Sequence, residues 1–210
     1  KINVYLLLSH LSSSEELKNK YNNFQNDNFK SFFNLFKSIK YKSLCNSAGI
    51  INNAEYHYDI LRPGISLYGG YDNKIINRKL VINPVIKLKA KILQIKIIKK
   101  NNYIGYNQTY KTIKNTKVAI LGIGYADGYS RILSNLGSVF YKNKTFKVLG
   151  RVSMDSITVD ITSCKDKISI GKYMEIINYR NDIQNLALKC NTINREILTS
   201  ISQRVKRVYV

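Results

Sequence analysis

The hydrophobic pattern of the chain changes near residue 80, and this change constrains the fold more than any other feature. From Val85 to Lys100 the sequence VIKLKAKILQIKIIKK alternates apolar residues with Lys. Alternation with a period of two is typical of an antiparallel strand that buries one face. We therefore predict a mostly β domain over residues 81–210. Its further strands are predicted at 117–123, 138–142, 145–150, 156–161, 173–178 and 208–210, with short helices at 182–190 and 195–202.

The residues before this change have a different pattern, in which short apolar runs end in polar turns. Residues 2–8 and 41–45 are predicted to form buried parallel strands. Between them, the Ser and Glu residues of 12–16 favour the start of a helix, and 29–39 carries five apolar residues at helical spacing. A polar turn over 46–49 and a third strand over 65–68 complete the segment. This order is typical of an α/β barrel or a doubly wound sheet, so residues 1–80 are predicted to be an α/β domain.

The net charge of the 210-residue chain is +21, which suggests a polyanionic partner such as nucleic acid. The charge comes mostly from Lys scattered through every segment, and Asn and Ile are equally frequent. Biased base composition explains this pattern better than a dedicated binding face. In such a chain an Arg marks a place where a planar, forked donor is needed. The arginines are Arg62, Arg78, Arg131, Arg151, Arg180, Arg195, Arg204 and Arg207.

The cysteines and the longest apolar runs exclude several classes of protein. Three cysteines, without the paired spacing of metal ligands, favour a reducing compartment over a disulfide scaffold or a zinc site. No apolar run approaches the roughly 20 residues that a membrane helix needs. The first residues lack both an initiator Met and a signal-peptide pattern, so we expect the chain to be the middle of a longer protein.

Two groups of motifs are candidates for function. Ser47 and the segment Arg62-Pro63-Gly64-Ile65 follow predicted strands, and a hydroxyl with backbone N–H groups beside a Gly suits a phosphate. The second group is rich in Tyr and Gly and comprises 105–107, 124–129 and 150–155, the last of which has a Gly but no Tyr. Glycine at a strand end allows the backbone to approach a ligand closely. Ordinary turns, and tyrosines that fill the edges of a β domain, are the alternative explanations.

Taken together and in order, these motifs resemble the alanine racemase family. The resemblance rests on HLSSSEE, NSAG, RPGISLYG, IGYNQTY, GYADGY, GRVSMD, TINREI and RVKRVYV, and it covers nearly the whole chain. It implies the C-terminal part of a (β/α)8 barrel that binds pyridoxal 5'-phosphate, followed by a β domain that supplies a catalytic Tyr and dimer contacts. It also implies a cytoplasmic homodimer that interconverts L- and D-alanine for peptidoglycan synthesis, with no membrane, nucleic acid or metal.

The resemblance assigns a role to each matching residue. Ser47 and the N–H groups of Gly64 and Ile65 would bind the cofactor phosphate. Arg62 would face the pyridine nitrogen, where a guanidinium cannot donate its proton to the ring. His10 would form hydrogen bonds toward Arg62 and the catalytic Tyr without touching the substrate.

The second domain would supply the groups that act on the substrate. Tyr106 would exchange a proton with Cα on one face, which requires positive charge near its oxygen. The Met154 N–H would bind the substrate carboxylate, and Tyr125 would line the entrance. Arg131 and Arg151 are further candidates for the substrate channel.

The chain departs from the family at two places. The Lys that binds the cofactor covalently lies upstream in the family and has no counterpart here, so we expect this chain alone to be inactive. Arg195 replaces a Tyr that contacts the phosphate in the family, and its guanidinium is also a phosphate donor. A broad-specificity amino-acid racemase, a cofactor-binding protein without turnover and a basic nucleic-acid-binding β module remain alternatives.

Overall fold

The computed structural model describes residues 3–36, 38–71 and 82–210. The chain divides into two compact units, Lys1–Asn83 and Pro84–Val210. The predicted boundary near residue 80 falls within 72–81, which lies outside the described residues.

The first unit contains a parallel strand pair connected through a helix. Strand β1 (Leu6–Leu8) is followed by helix α1 (Tyr21–Leu35) and strand β2 (Tyr41–Ser43), and the two strands pair in parallel. Helix α2 (Ser47–Asn52) begins a few residues after β2. A strand, a crossover helix and a parallel strand form the repeating element of α/β folds.

The core of the first unit is small. It is formed by Leu11, Phe29, Leu44, Cys45 and Tyr56, all of which are buried. The apolar residues at helical spacing over 29–39, which favour a core-facing helix, face the core only in part. Phe29 is buried, but Phe32 is 58% exposed and Phe36 is 46% exposed. The two exposed rings stack on each other, with centroids 6.3 Å apart.

Three local predictions for the first unit are corrected by the structure. The helix predicted to start at 12–16 begins at Tyr21, because the intervening backbone closes turns of its own, such as Glu16 N–H to Ser13 O. The turn predicted over 46–49 is the start of α2. Residues Ile65–Tyr68 form a 3-10 helix rather than a strand, since Gly69 and Gly70 fold back to donate to Ser66 O and Ile65 O.

The second unit is built around a closed barrel of six antiparallel strands, in the order β10-β3-β6-β9-β8-β7. A small two-stranded sheet, β4 with β5, stands beside it. The strands are β3 (Leu88–Ile98), β4 (Tyr103–Ile104), β5 (Tyr110–Lys111), β6 (Thr116–Leu121), β7 (Ser138–Tyr141), β8 (Lys144–Leu149), β9 (Ile157–Asp160) and β10 (Tyr173–Ile177).

Alternation along the strands determines which side chains fill the barrel. In β3, Leu88, Ala90 and Ile92 are buried while Lys89 and Lys91 are exposed, as the alternating pattern predicts. Ile92, Val118, Val159 and Met174 come from four strands and are completely buried. The barrel interior is therefore a packed core.

Two short helices, α3 (Ile183–Lys189) and α4 (Asn194–Ser200), follow the barrel. The strand predicted at 208–210 is absent, and these residues are exposed. Among the residues that the structure describes, no helix is long and apolar enough to cross a membrane.

Candidate functional site

Ser47 is the centre of a polar turn in the first unit. It is the first residue of α2, which begins there because the Asn46 side chain accepts from the Gly49 N–H at 3.0 Å. The Ser47 hydroxyl is buried and accepts from the Gly64 N–H at 2.8 Å and from the Ser66 N–H at 3.4 Å. One hydroxyl thus gathers Gly64 and Ser66 around Ser47, with Ile65 between them in the chain, and this loop is the candidate phosphate cradle.

The Ser47 hydroxyl accepts from a third group as well. The Ser66 hydroxyl donates to it at 3.2 Å. Within the described part of the chain, the Ile65 N–H donates to no other group. A phosphate needs several such donors converging from backbone and hydroxyl groups.

Arg62 lies just before this cradle and connects the carboxyl ends of both strands. Its Nη2 donates to Ser9 O, just after β1, at 2.6 Å and to Leu44 O, just after β2, at 3.3 Å. Its Nη1 donates to the buried Ser43 hydroxyl at 2.5 Å. The carboxyl ends of parallel strands are where α/β proteins place their ligands.

Two hydrogen-bond donors flank the imidazole of His10. Nη2 of Arg62 lies 3.5 Å from Nδ1, and the Asn46 side-chain nitrogen, whose amide oxygen is bound to the Gly49 N–H, lies 3.4 Å from Nε2. A neutral imidazole accepts at only one ring nitrogen, so His10 accepts from one of these two donors and carries its proton on the other nitrogen.

Cys45 lies under the same cluster but is protected from reaction. Its thiol is buried and donates to Tyr56 O. Burial raises its pKa to about 11, and the nearby positive charge of Arg62 offsets only part of this effect. Cys45 is therefore a core residue rather than a nucleophile.

In the second unit, Tyr106 is held by a close contact between two loops. Gly105, at φ +79°, has no room for a side chain, because a Cβ there would lie 2.7 Å from the Arg151 nitrogen. A Cβ at Gly150 would lie 2.5 Å from Ile104 O, so the contact excludes side chains from both sides. The Tyr106 side chain that follows is 70% exposed. The loop thus presents a phenol on a fixed backbone.

Tyr125 and Met154 belong to neighbouring segments that share main-chain hydrogen bonds. The Tyr125 N–H donates to Ser153 O and the Ala126 N–H donates to Met154 O, both at 3.0 Å. Gly124 makes this approach possible, because a Cβ there would lie 2.2 Å from Met154 O. Among the described residues, the Met154 N–H itself donates to no group. An N–H in this state can bind a carboxylate.

The remaining candidates are three arginines of the second unit. Arg195 is an exposed residue near the start of α4, and its carbonyl accepts from the Thr199 hydroxyl at 2.9 Å. Arg131 is also exposed, in a 3-10 helix. Arg151 is half-buried, with a buried Nε that has no partner within the described ranges.

Sequence reasoning did not identify Ser43, Asn46 and Ser66, which bind Arg62, His10 and Ser47 respectively. Their positions next to predicted residues were the available signal. Among the described residues, no group of three or more His, Cys, Asp or Glu side chains could hold a metal ion.

The fold and site define a class of protein: an α/β unit with an anion cradle and a bound arginine, joined in one chain to a β-barrel unit with exposed polar loops. Two family models match, "Alanine racemase, N-terminal domain" over residues 1–72 and "Alanine racemase, C-terminal domain" over residues 85–209. The chain belongs to the alanine racemase family.

Individual relatives agree with the family match. The alanine racemase of Rickettsia canadensis is 41% identical over 209 residues, which are 99% of this chain and 56% of the relative. A Clostridium difficile alanine racemase in complex with cycloserine has a TM-score of 0.92 at 32% identity, over 99% of this chain and 56% of that one. A Bartonella henselae alanine racemase with covalently bound pyridoxal phosphate has a TM-score of 0.86 at 34% identity and also covers 56% of that chain. This chain spans little more than half the length of the relatives that it matches.

Proposed function

We propose that this chain is the part of a pyridoxal 5'-phosphate-dependent alanine racemase that holds the cofactor's phosphate and ring nitrogen and supplies a catalytic tyrosine. The observation that carries the proposal is the arrangement at the ends of β1 and β2, where Arg62 contacts His10 and Ser47 gathers the loop that follows Arg62. The family match and the B. henselae relative, which carries covalently bound pyridoxal phosphate, support the proposal.

The residues present fit this cofactor. The phosphate would be held by the Ser47 hydroxyl and the Ile65 N–H. The Gly64 N–H and the Ser66 hydroxyl, which donate to the Ser47 oxygen, would exchange that acceptor for a phosphate oxygen. A guanidinium fixed by several hydrogen bonds, like that of Arg62, would keep the pyridine nitrogen unprotonated. When bound, pyridoxal phosphate makes the Cα–H of an amino acid acidic enough to be removed.

Tyr106 would remove or return the proton on one face of Cα. A phenol acts as a base near neutral pH only where positive charge stabilises its ionised form. Arg62 supplies positive charge, and its guanidinium lies 3.5 Å from the imidazole of His10. The exposed Tyr106 needs a covering surface to exclude water, which supports a homodimer in which one subunit's tyrosine serves the other's cofactor.

Met154 and Tyr125 would fix the substrate. The available Met154 N–H suits the carboxylate of alanine, and Tyr125 would narrow the entrance. Arg195 would be a phosphate ligand in place of the family's Tyr. Synthesis of D-alanine for peptidoglycan, in the cytoplasm, is the role that this activity serves.

The distribution of Lys supports a racemase rather than a nucleic-acid module. Exposed Lys residues lie on β3, at Lys89 and Lys91, and on β8, at Lys144 and Lys147. Two strands separate β3 from β8 in either direction around the barrel, so these residues face opposite sides. A nucleic-acid site instead concentrates its positive charge on one face.

The test is an assay of L- to D-alanine conversion in two proteins. The 210-residue chain alone should be inactive, because it lacks the family's cofactor-binding Lys. The chain fused behind the part of the R. canadensis relative that it does not span should be active. Tyr106→Phe should reduce the fusion's kcat by about 100-fold or more, since general-base catalysis contributes that much. Tyr103→Phe, an exposed tyrosine nearby, is the matched control.

Two results would refute the proposal. One is a folded fusion that binds pyridoxal phosphate but does not racemise alanine. The other is a Tyr106→Phe fusion that is as active as its Tyr103→Phe counterpart. A panel of other amino acids in the same assay distinguishes an alanine racemase from a broad-specificity enzyme.

A further inference from the structure

Arg204 lies in RVKRVYV, a stretch that contributes to the family resemblance and has no role in the site described above. Its guanidinium binds two carboxylates: Nη2 lies 2.6 Å from Asp155 Oδ1, and Nε lies 3.5 Å from Asp127 Oδ1. Asp155 directly follows Met154, and Asp127 closes the short helix that starts at Tyr125. A single side chain therefore contacts both segments that carry candidate substrate-binding residues.

The carboxylate of Asp127 is itself fixed. Its Oδ2 accepts from the Gly124 N–H at 2.9 Å, and its side chain is only 13% exposed. The side chains of Arg204 and Asp155 are 54% and 60% exposed. Arg204 thus connects an anchored carboxylate to a solvent-exposed one beside Met154.

The backbone that carries Arg204 is folded back onto the same place. The Ser202 N–H donates to Asp127 O at 3.3 Å, and the Arg204 N–H donates to the Ser202 hydroxyl at 3.1 Å. Arg207 reinforces this turn by donating to Ile201 O at 3.0 Å. The forked guanidinium of Arg can reach two carboxylates at once, whereas the single ammonium of Lys cannot match that geometry. This explains an Arg in a chain that otherwise prefers Lys.

We propose that Arg204 is a positioning residue, which holds the Tyr125 and Met154 segments in register so that the Met154 N–H points at a substrate carboxylate. The contacts stand independently, while their meaning for substrate binding rests on the proposed function. Arg204 acts through Asp127 and Asp155 and need not touch the substrate.

Amide hydrogen exchange in the 210-residue chain tests whether Arg204 holds the Tyr125 and Met154 segments in place. In Arg204→Ala, the amides of Tyr125 and Ala126 should exchange about tenfold faster, while those of Val118 and Val159 keep their rates, because local opening is separate from global unfolding. Arg204→Lys should recover only part of the protection. Arg180→Ala is the matched control, since Arg180 is an exposed arginine that binds Asn143 elsewhere.

A double variant and a kinetic measurement complete the test. Asp155→Asn should reproduce the effect of Arg204→Ala, and combining them should add little, as expected for partners in one network. In the active fusion, Arg204→Ala should raise the KM for L-alanine by about 5-fold or more with a smaller change in kcat.

Unchanged exchange at Tyr125 and Ala126 would overturn the proposal, as would uniform acceleration across the barrel, which marks general destabilisation. An unchanged KM would overturn its link to substrate. If Arg204→Ala loosens the two segments but the unmutated fusion shows no racemase activity, the proposed function fails and the positioning role of Arg204 stands.

Discussion

Nη2 of Arg62 lies 3.5 Å from Nδ1 of His10, although 52 residues separate the two in sequence. The same guanidinium reaches main-chain oxygens just after β1 and just after β2. Arg62 therefore both stabilises the strand pair and orients an imidazole, so structure and proposed chemistry depend on one side chain.

Replacing Arg62 by Lys should destabilise the first unit. An ammonium cannot keep the bonds to Ser43, Ser9 and Leu44 together, and unsatisfied buried polar groups should cost about 2–3 kcal/mol of unfolding free energy. Alkylation of the buried Cys45 thiol in increasing urea reports on this unit once peptide mapping separates Cys45 from Cys164 and Cys190, which lie in the second unit. Arg180→Lys is the control. Equal urea midpoints for Arg62→Lys and the unmutated chain would contradict the prediction.

Ser47→Ala should weaken binding of the cofactor through its phosphate. The change removes the hydroxyl that organises the Gly64 and Ser66 N–H groups, and losing one such hydrogen bond should reduce affinity about tenfold. Equilibrium dialysis of the chain against pyridoxal phosphate and against pyridoxal, which lacks the phosphate, isolates the effect. Ser13→Ala is the control. If Ser47→Ala weakens both ligands equally, the hydroxyl does not serve the phosphate.

Gly105→Ala should destabilise the second unit and displace Tyr106. An added Cβ meets the Arg151 main-chain nitrogen at 2.7 Å in a backbone conformation that alanine disfavours, so we expect a loss of about 2–3 kcal/mol. At Gly122 an added Cβ meets the movable end of Leu93 at 3.1 Å, so Gly122→Ala should cost much less. Thermal unfolding compares the stabilities of the two variants. Equal losses of stability would show that the main-chain contact at Gly105 does not exclude a side chain.

The stability of the first unit should fall as the pH rises from about 9 to about 11 through Cys45. The unfolded thiol ionises near its ordinary pKa of 9.0, whereas burial holds the pKa of the folded thiol at about 11, so the unfolded state binds fewer protons in this window. The stabilisation that the buried neutral thiol provides is complete below pH 9 and is lost progressively as the pH rises from about 9 to about 11. The free energy of unfolding of the first unit in urea, measured at several pH values, should depend less on pH in Cys45→Ala than in the unmutated chain. Parallel profiles would exclude this role.

The β unit was predictable because its strands follow one simple rule. Alternation places Leu88, Ala90 and Ile92 inside and Lys89 and Lys91 outside, and the structure agrees. The first unit was less predictable, since its elements are short and side-chain hydrogen bonds decide their ends. Residues 65–68 read as a strand from composition, but turn hydrogen bonds with Gly69 and Gly70 make them helical.

The candidate site was predictable residue by residue only where a motif carried the resemblance. That Ser43 would meet Arg62 could not be read from spacing, because the contact depends on how β2 and the following loop pack. Likewise, RVKRVYV was recognisable as a motif, but the pairing of Arg204 with Asp127 and Asp155 exists only in the folded chain.

The loops of Gly105 and Gly150 contact each other so closely that both positions must remain glycine. At each position the obstacle is a main-chain atom of the opposite loop, which no compensating side-chain change can remove. A randomised library of the second unit, selected for folding, should therefore return glycine at both sites in nearly every survivor. Solvent-facing positions such as Lys147 should vary freely in the same library. Gly105 and Gly150 are therefore constrained by the fold, whereas the exposed surface around them can change in sequence.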